Sequence, residues 1–187
     1  HSRGARLPRA VRVEQTEVVW VGNNTMRLGG KIAIVIGAGQ SPGEGLGNGR
    51  ATVLRFAQEG AKVMAVDKNL ASAEETVSMV NQAGGECVAF AADVTKEATL
   101  AAVMAAAHKR WGRIDILHYN VGVSIAGGDA PLLDFTEEAF DRISAINLRG
   151  AIMACKHVIP IMRQHRAGAI TMISSLAALE NYPFVAY

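Results

Sequence analysis

Lys31-Ile32-Ala33-Ile34-Val35-Ile36-Gly37-Ala38-Gly39-Gln40-Ser41-Pro42-Gly43-Glu44-Gly45-Leu46-Gly47-Asn48-Gly49 is the stretch on which the reading of this chain turns. A short apolar run rich in β-branched residues breaks into a segment, 37–49, in which six of thirteen residues are glycine. An amphipathic segment from Arg50 to Glu59 follows at once. Strand, glycine-rich turn and helix, in that order, are how a parallel sheet presents backbone N–H groups to a phosphate. The stretch predicts a dinucleotide site, and the downstream chain is expected either to complete that site or to use it.

Outward from this stretch the pattern repeats. Short, nearly all-apolar runs at 31–36, 61–66, 86–91, 114–119 and 168–173 alternate with helical periodicity at 49–59, 70–83, 96–111 and 136–166, the last expected to be more than one piece. Gly60, Gly84-Gly85, Gly112 and Gly168 stand between a helix and the next strand, where a glycine stop belongs. Strands apolar on both faces, with no hairpin between them, imply a doubly wound α/β domain with a parallel sheet covered by helices on both faces. Its expected extent is 26–187. Residues 1–25 begin at His1, are rich in Arg and lack sustained periodicity, so they read as a basic, disordered or artificial extension. An organelle-targeting segment is the competing reading.

A glycine-rich turn alone is a weak signal, and an acid at the right distance strengthens it. Asp67 ends the second strand 18 residues after Gly49, near the usual offset of about 20. A carboxylate there can accept hydrogen bonds from a ribose hydroxyl pair and would repel a phosphate on the same ribose. NAD is therefore expected over NADP, with the neighbouring Lys68 as the argument for NADP. The bland alternative makes Asp67 a solvated loop residue.

Further residues carry a more specific pattern. Gly47-Asn-Gly49-Arg-Ala-Thr-Val-Leu-Arg-Phe-Ala-Gln-Glu-Gly60-Ala is followed by Asp93-Val94 after the third strand and Tyr119-Asn120-Val121-Gly122 after the fourth. Asn147-Leu-Arg-Gly150 lies in the long helical segment, Ser174-Ser175 ends the fifth strand, and Tyr187 closes the chain. In this order, over 26–187, the sequence resembles the short-chain dehydrogenase/reductase family.

The resemblance implies a Rossmann-like fold and hydride transfer between a nicotinamide cofactor and a secondary alcohol or carbonyl. It implies Tyr187 as general acid/base, Ser175 holding the substrate oxygen, and Asn147 supporting a water-linked proton path. A free phenol titrates near 10, so such a tyrosine needs a nearby cation to work around neutrality. Gly37, Gly39, Gly47, Gly49 and Asp67 are the implied contacts to the cofactor's phosphates and ribose. Asp93 and Val94 would lie against its adenine, with helix capping as the equal alternative for Asp93. Asn120 and Gly122 would let the chain pass close to the cofactor ribose, with stabilising the strand end as their other role. Ser174, thirteen residues before Tyr187 rather than twelve, is the alternative to Ser175. Asp115 reads as structural. A small-molecule substrate and a homo-oligomer, dimer or tetramer, formed through the long helices are the implied partners.

The sequence departs from the family pattern in three ways. The turn runs twelve residues from Gly37 to Gly49, where the Gly-x-x-x-Gly-x-Gly pattern spans six, so 40–46 holds an insertion. Ile36 and Tyr119 replace residues usual in the family. The lysine expected four residues after Tyr187, the last strands and the substrate loop lie beyond Tyr187, so the domain is expected to be incomplete in this stretch and inactive by itself. A non-catalytic NAD-binding sensor or scaffold on the same fold, or an epimerase or dehydratase, remain the alternatives.

Composition fits this class. Half the 187 residues are hydrophobic and 19% are charged, as in a globular domain with a well-filled core. The net charge of +2 is local: residues 1–27 alone carry +3, and no basic stripe continues into the domain to suggest nucleic-acid binding. Cys87 and Cys155 lack metal-ligand spacing and read as reduced cysteines of a cytoplasmic protein. No apolar run approaches the roughly 20 residues that span a bilayer. His157 and His165, eight apart, have no third ligand, so no metal is expected.

Overall fold

The computed structural model describes residues 26–180, 182 and 184–187, apart from Pro42 and Glu44. The basic extension, 1–25, lies outside the described residues. The strands are β1 (Ile32–Ile36), β2 (Lys62–Asp67), β3 (Cys87–Ala91), β4 (Ile116–Tyr119) and β5 (Ala169–Met172). They form one parallel sheet in the order β3-β2-β1-β4-β5. The helices are α1 (Asn48–Gln58), α2 (Leu70–Gln82), α3 (Glu97–Trp111), α4 (Glu137–Ser144) and α5 (Gly150–Gln164). This is the doubly wound, Rossmann-like architecture that the strand and helix alternation predicts.

Alternation along each strand decides which helix covers which face. Ile34, Ile36, Met64, Val66, Leu117 and Tyr119 point to one side, where Leu100, Val103 and Met104 of α3 and Ala154 and Val158 of α5 cover them. Ala33, Val35, Val63 and Ala65 point to the other side, against Val53 and Leu54 of α1 and Val80 of α2. The central strand β1 is buried at every residue. Edge strand β5 is exposed along most of its length.

The segment 136–166 is more than one piece, as expected: α4 and α5 are joined by a π-helical turn, Ala145–Arg149, which inserts an extra residue and lets the backbone run on at a new phase. One local feature differs from the sequence reading. Gly168 is not the left-handed stop after α5; Arg166 takes that conformation, with φ 52°. Gly168 is required for another reason, because a Cβ there would strike Met162. Gly60, Gly84 and Gly112 do take positive φ at their helix ends.

Asp115 sits at the amino end of β4, away from the strand tips that carry the glycine turn. Its carboxylate accepts from Ile32 N–H at 2.9 Å and pairs with Arg113, tying β4 to β1. Burial alone would raise this carboxyl. The Arg113 and Ile32 contacts outweigh that and hold it below the usual range. The structural reading of Asp115 agrees with this arrangement.

Candidate functional site

The sheet order reverses at β1, with β2 on one side and β4 on the other, so the carboxyl ends of these strands open a crevice at the topological switch point. A cleft of ≈ 1090 Å³ occupies it. Its walls include Gly37, Gly39, Gly47, Gly49, Asp67, Asp93, Val94, Asn120, Gly122, Asn147, Ser175 and Tyr187. Every site residue nominated from the sequence thus faces the same space, although the first and last are 150 positions apart. Ser174 lines it as well.

The glycine turn is held by side chains from β2 and α2. Gly37 and Ala38 donate their N–H groups to the Val66 carbonyl at 2.8 and 2.9 Å. Gly39 N–H donates to Asp67 Oδ2 at 2.9 Å, and Gln40 N–H donates to Ser72 Oγ at 2.7 Å. The Thr76 hydroxyl donates to the Ala38 carbonyl at 2.9 Å. Behind them lies Arg50, buried from the first turn of α1, whose guanidinium donates to Thr76 Oγ1, the Ser72 carbonyl and Glu75 Oε2. A buried guanidinium needs several acceptors to offset its desolvation, and α2 supplies them. The sequence did not single out Arg50 or Gln40, whose partners lie up to 32 positions away.

The insertion is fastened at its neck. Gln40 Nε2 donates to the Ser41 and Gly45 carbonyls at 2.9 and 3.2 Å, while Gln40 Oε1 accepts from Gly47 N–H at 2.7 Å. Beyond that neck Gly43 and Gly45 have open space where a Cβ would point. The described residues of the insertion at Ser41, Gly43 and Gly45 are exposed.

The four nominated glycines of the turn therefore differ in what they offer. The N–H groups of Gly37, Gly39 and Gly47 are engaged by protein acceptors. What Gly37 and Gly39 bring is close approach: a Cβ would come within 2.9 Å of Val121 at Gly37, whose φ is +86°, and within 2.8 Å of Asp67 and Ser72 at Gly39. At Gly49 a Cβ would fall onto the Gly37 carbonyl, so only glycine lets α1 start this close to β1. No side chain caps α1 at Gly47, and its first turn holds no acid. Asn48 and Gly49 line the cleft at the positive end of that helix.

Asp67 keeps capacity for a ligand. Oδ2 accepts from Gly39 and Oδ1 from Asn69 N–H at 2.9 Å, leaving each oxygen a second lone pair. Lys68 is drawn toward Asp93, Nζ to Oδ2 at 3.8 Å. Asp93 Oδ1 accepts from the Thr95 hydroxyl at 2.7 Å and its N–H at 3.0 Å. The Thr95 hydroxyl is the main cause of an Asp93 carboxyl held below its ordinary value, against a smaller opposing effect of burial. Asp93 closes a turn before α3 but is not the N-cap, which is Lys96. Asn120 ties the end of β4 to the turn, Nδ2 donating to the Gly37 carbonyl at 3.3 Å.

At the other end, Asn147 sits in the π-helical turn. Its Oδ1 accepts from Val123 N–H at 2.9 Å and its Nδ2 donates to the Val123 carbonyl at 2.8 Å. The side-chain amide therefore braces the loop after β4. Tyr119, the family-atypical residue on β4, donates its buried hydroxyl to the Ile146 carbonyl at 2.6 Å inside the same turn. Burial pushes the Tyr119 phenol up, which keeps it a donor. Its space exists because residue 150 is glycine; a Cβ there would meet the Tyr119 hydroxyl.

Ser175 and Tyr187 stand on exposed chain beyond β5. Ser175 Oγ accepts from Ala177 N–H at 3.2 Å, capping a short 3-10 turn at Leu176–Ala178. Tyr187 is 40% exposed, with its ring edge-on to Phe140 of α4 at 6.1 Å between centroids. Asp129, which the sequence reading passed over, accepts from the N–H groups of Ala186 and Tyr187 at 2.9 and 3.2 Å. The histidines are apart: His157 meets Glu97 and His165 the Gly112 carbonyl.

The family profile described as short chain dehydrogenase matches residues 31–187. The chain belongs to the short-chain dehydrogenase family. Among relatives, it is 36% identical over 155 residues to 2-(R)-hydroxypropyl-CoM dehydrogenase of Xanthobacter autotrophicus, covering 82% of this chain and 59% of that protein. It is 32% identical over 158 residues to the 3-oxoacyl-(acyl-carrier-protein) reductase FabG of Thermotoga maritima, covering 84% and 61%. A solved 7α-hydroxysteroid dehydrogenase, complexed with NADH and 7-oxo glycochenodeoxycholic acid, matches with a TM-score of 0.77 at 32% identity. That match covers 87% of this chain and 60% of the steroid enzyme. The chain thus spans about 60% of the length of these short-chain dehydrogenases.

Proposed function

We propose that the full-length protein interconverts a secondary alcohol and the corresponding carbonyl with NAD, and that residues 26–187 form its nucleotide-binding unit. The observation that carries this reading is the convergence of Gly37, Asp67, Asn120, Asn147, Ser175 and Tyr187 on one cleft at the sheet's switch point. The site fits a dinucleotide: a helix start with no side-chain cap for phosphates, a partly buried carboxylate with free lone pairs for ribose hydroxyls, and glycines where a Cβ would block approach.

The N–H groups at the start of α1 would hold the pyrophosphate, and Asp67 the adenine-side ribose. A phosphate on that ribose would face a carboxylate, which supports NAD over NADP. Asp93 and Val94 would flank the adenine, and Asn120 and Gly122 the second ribose. When bound, the nicotinamide ring supplies or accepts the hydride at the carbon that bears the substrate oxygen. The Tyr187 hydroxyl gives the proton to that oxygen or removes it, and the Ser175 hydroxyl donates a hydrogen bond to the same atom. Asn147 contributes by bracing Val123 on the wall of the cleft. The NADH named in the solved steroid dehydrogenase supports the nicotinamide assignment. Exposed Phe140, Leu148 and Ile152 along α4, the π-helical turn and α5 support pairing of subunits through these helices.

The test is NADH absorbance in the full-length protein with a panel of secondary alcohols and ketones. Turnover should appear with one or more of them, and Tyr187→Phe should lower kcat by about 10³-fold without weakening NADH binding. Undiminished turnover in Tyr187→Phe would contradict the assignment.

A further inference from the structure

Asp129 is an acidic residue with 6% exposure in a loop, a placement that calls for partners. The chain after β4 forms a 3-10 turn at Ile125–Gly127 and then reverses through Gly128, φ +98°. That reversal brings Asp129 N–H back to the Ser124 carbonyl at 3.2 Å and the Asp129 carboxylate under the segment that carries Tyr187. Oδ2 accepts from the Ser124 hydroxyl at 2.8 Å, and Oδ1 accepts from Ala186 and Tyr187 N–H. Burial by itself would raise the carboxyl, but these contacts and the Ala130 N–H outweigh it and hold Asp129 below the usual carboxylate range.

The loop is itself anchored. Arg142 of α4 donates from Nε to the Gly127 carbonyl at 2.7 Å, and a Cβ on Gly127 would strike Ile143 and Val123. Phe140, also on α4, meets the Tyr187 ring edge-on. A continuous set of contacts therefore runs from α4 through Gly127 to Asp129 and on to the Tyr187 backbone. The ring contact closes it on the same helix.

We propose that Asp129 is the positioning residue for Tyr187, its carboxylate clamping the Ala186 and Tyr187 N–H groups and so fixing where the phenol enters the cleft. This rests on Tyr187 being the proton-transferring group. The clamp acts on chain beyond β5, so its loss lets the phenol leave the reacting geometry, while the glycine turn is held by its own contacts to β2 and α2.

The experiment is steady-state kinetics and NADH titration on the full-length protein. Asp129→Ala should lower kcat by about 10²-fold and leave the NADH Kd within about twofold of wild type. Asp129→Asn keeps one oxygen for both N–H groups and offers Ser124 an amide partner, so it should recover most of the lost kcat. Should Asp129→Ala fail to fold, Ser124→Ala, which frees Oδ2 alone, should lower kcat by a few-fold with NADH affinity unchanged. Wild-type kcat in either variant, or a loss of kcat matched by an equal loss of NADH affinity, overturns the clamp. Tyr187→Phe run alongside separates the two ideas. If it retains turnover the tyrosine assignment falls, whereas if it alone is inactive and Asp129→Ala is not, only the clamp falls.

Discussion

At the nucleotide end of the cleft, Gly37, Ala38, Gly39 and Gln40 are each tied by backbone N–H groups to β2 or α2, over a buried Arg50. At the end proposed to be catalytic, Ser175 and Tyr187 stand on exposed chain, and among the described residues their contacts include one 3-10 turn, Asp129 and Phe140. The first end is assembled from elements that also make the core: β1 is buried throughout, and α1 and α2 cover its face. The second end follows β5, which lies at one side of the sheet that the described residues form. One cleft is thus half scaffold and half attachment. Substitutions at the nucleotide end should damage fold and binding together, while those at the catalytic end should damage rate alone.

Three variants can break that contrast, taken from the largest effect on stability to the smallest. Gly49→Ala places a methyl on the Gly37 carbonyl and should destabilise the protein by about 3 kcal/mol, read as a fall in thermal midpoint together with weakened NADH binding. Near-wild-type stability would mean that α1 does not need to start so close to β1. Tyr119→Phe removes the donor that meets the Ile146 carbonyl and should cost about 1 kcal/mol. Hydrogen exchange should rise across 145–149, where the π-helical turn loses its brace; unchanged exchange there would separate Tyr119 from Asn147. Ser175→Ala should move stability by less than about 0.5 kcal/mol while lowering kcat by about 10²-fold. The same loss from Ser174→Ala, with Ser175→Ala harmless, would exchange the two serines.

The same contrast governs what could be read from the sequence. The scaffold was legible because its signals are local: apolar runs of strand length, glycines at helix ends, and an acid 18 residues past Gly49. The split of 136–166 was only half legible, since a π-helical turn adds one residue without changing the composition of the apolar face. Gly168 was misread because a glycine after a helix usually signals positive φ, whereas here close packing against Met162 requires it and Arg166 takes the turn. Asp129 and Gln40 were illegible for a different reason. Each acts through backbone groups, Asp129 on N–H groups 57 and 58 positions away, and no side-chain motif records such a contact. Their only signals were an acidic residue after a Gly-Gly pair and a polar residue at the neck of an insertion.

The central claim is that the β1, β2 and β4 strand ends form a ready-built site for NAD, with Asp67 reading the ribose. Titration of the full-length protein with NADH and with NADPH tests it most directly. NADH should bind at least about tenfold more tightly in the wild type, since a ribose phosphate would face the Asp67 carboxylate. Asp67→Ala should weaken NADH and erase the preference, because the same carboxylate also holds Gly39. Equal or tighter binding of NADPH by the wild type would contradict the account.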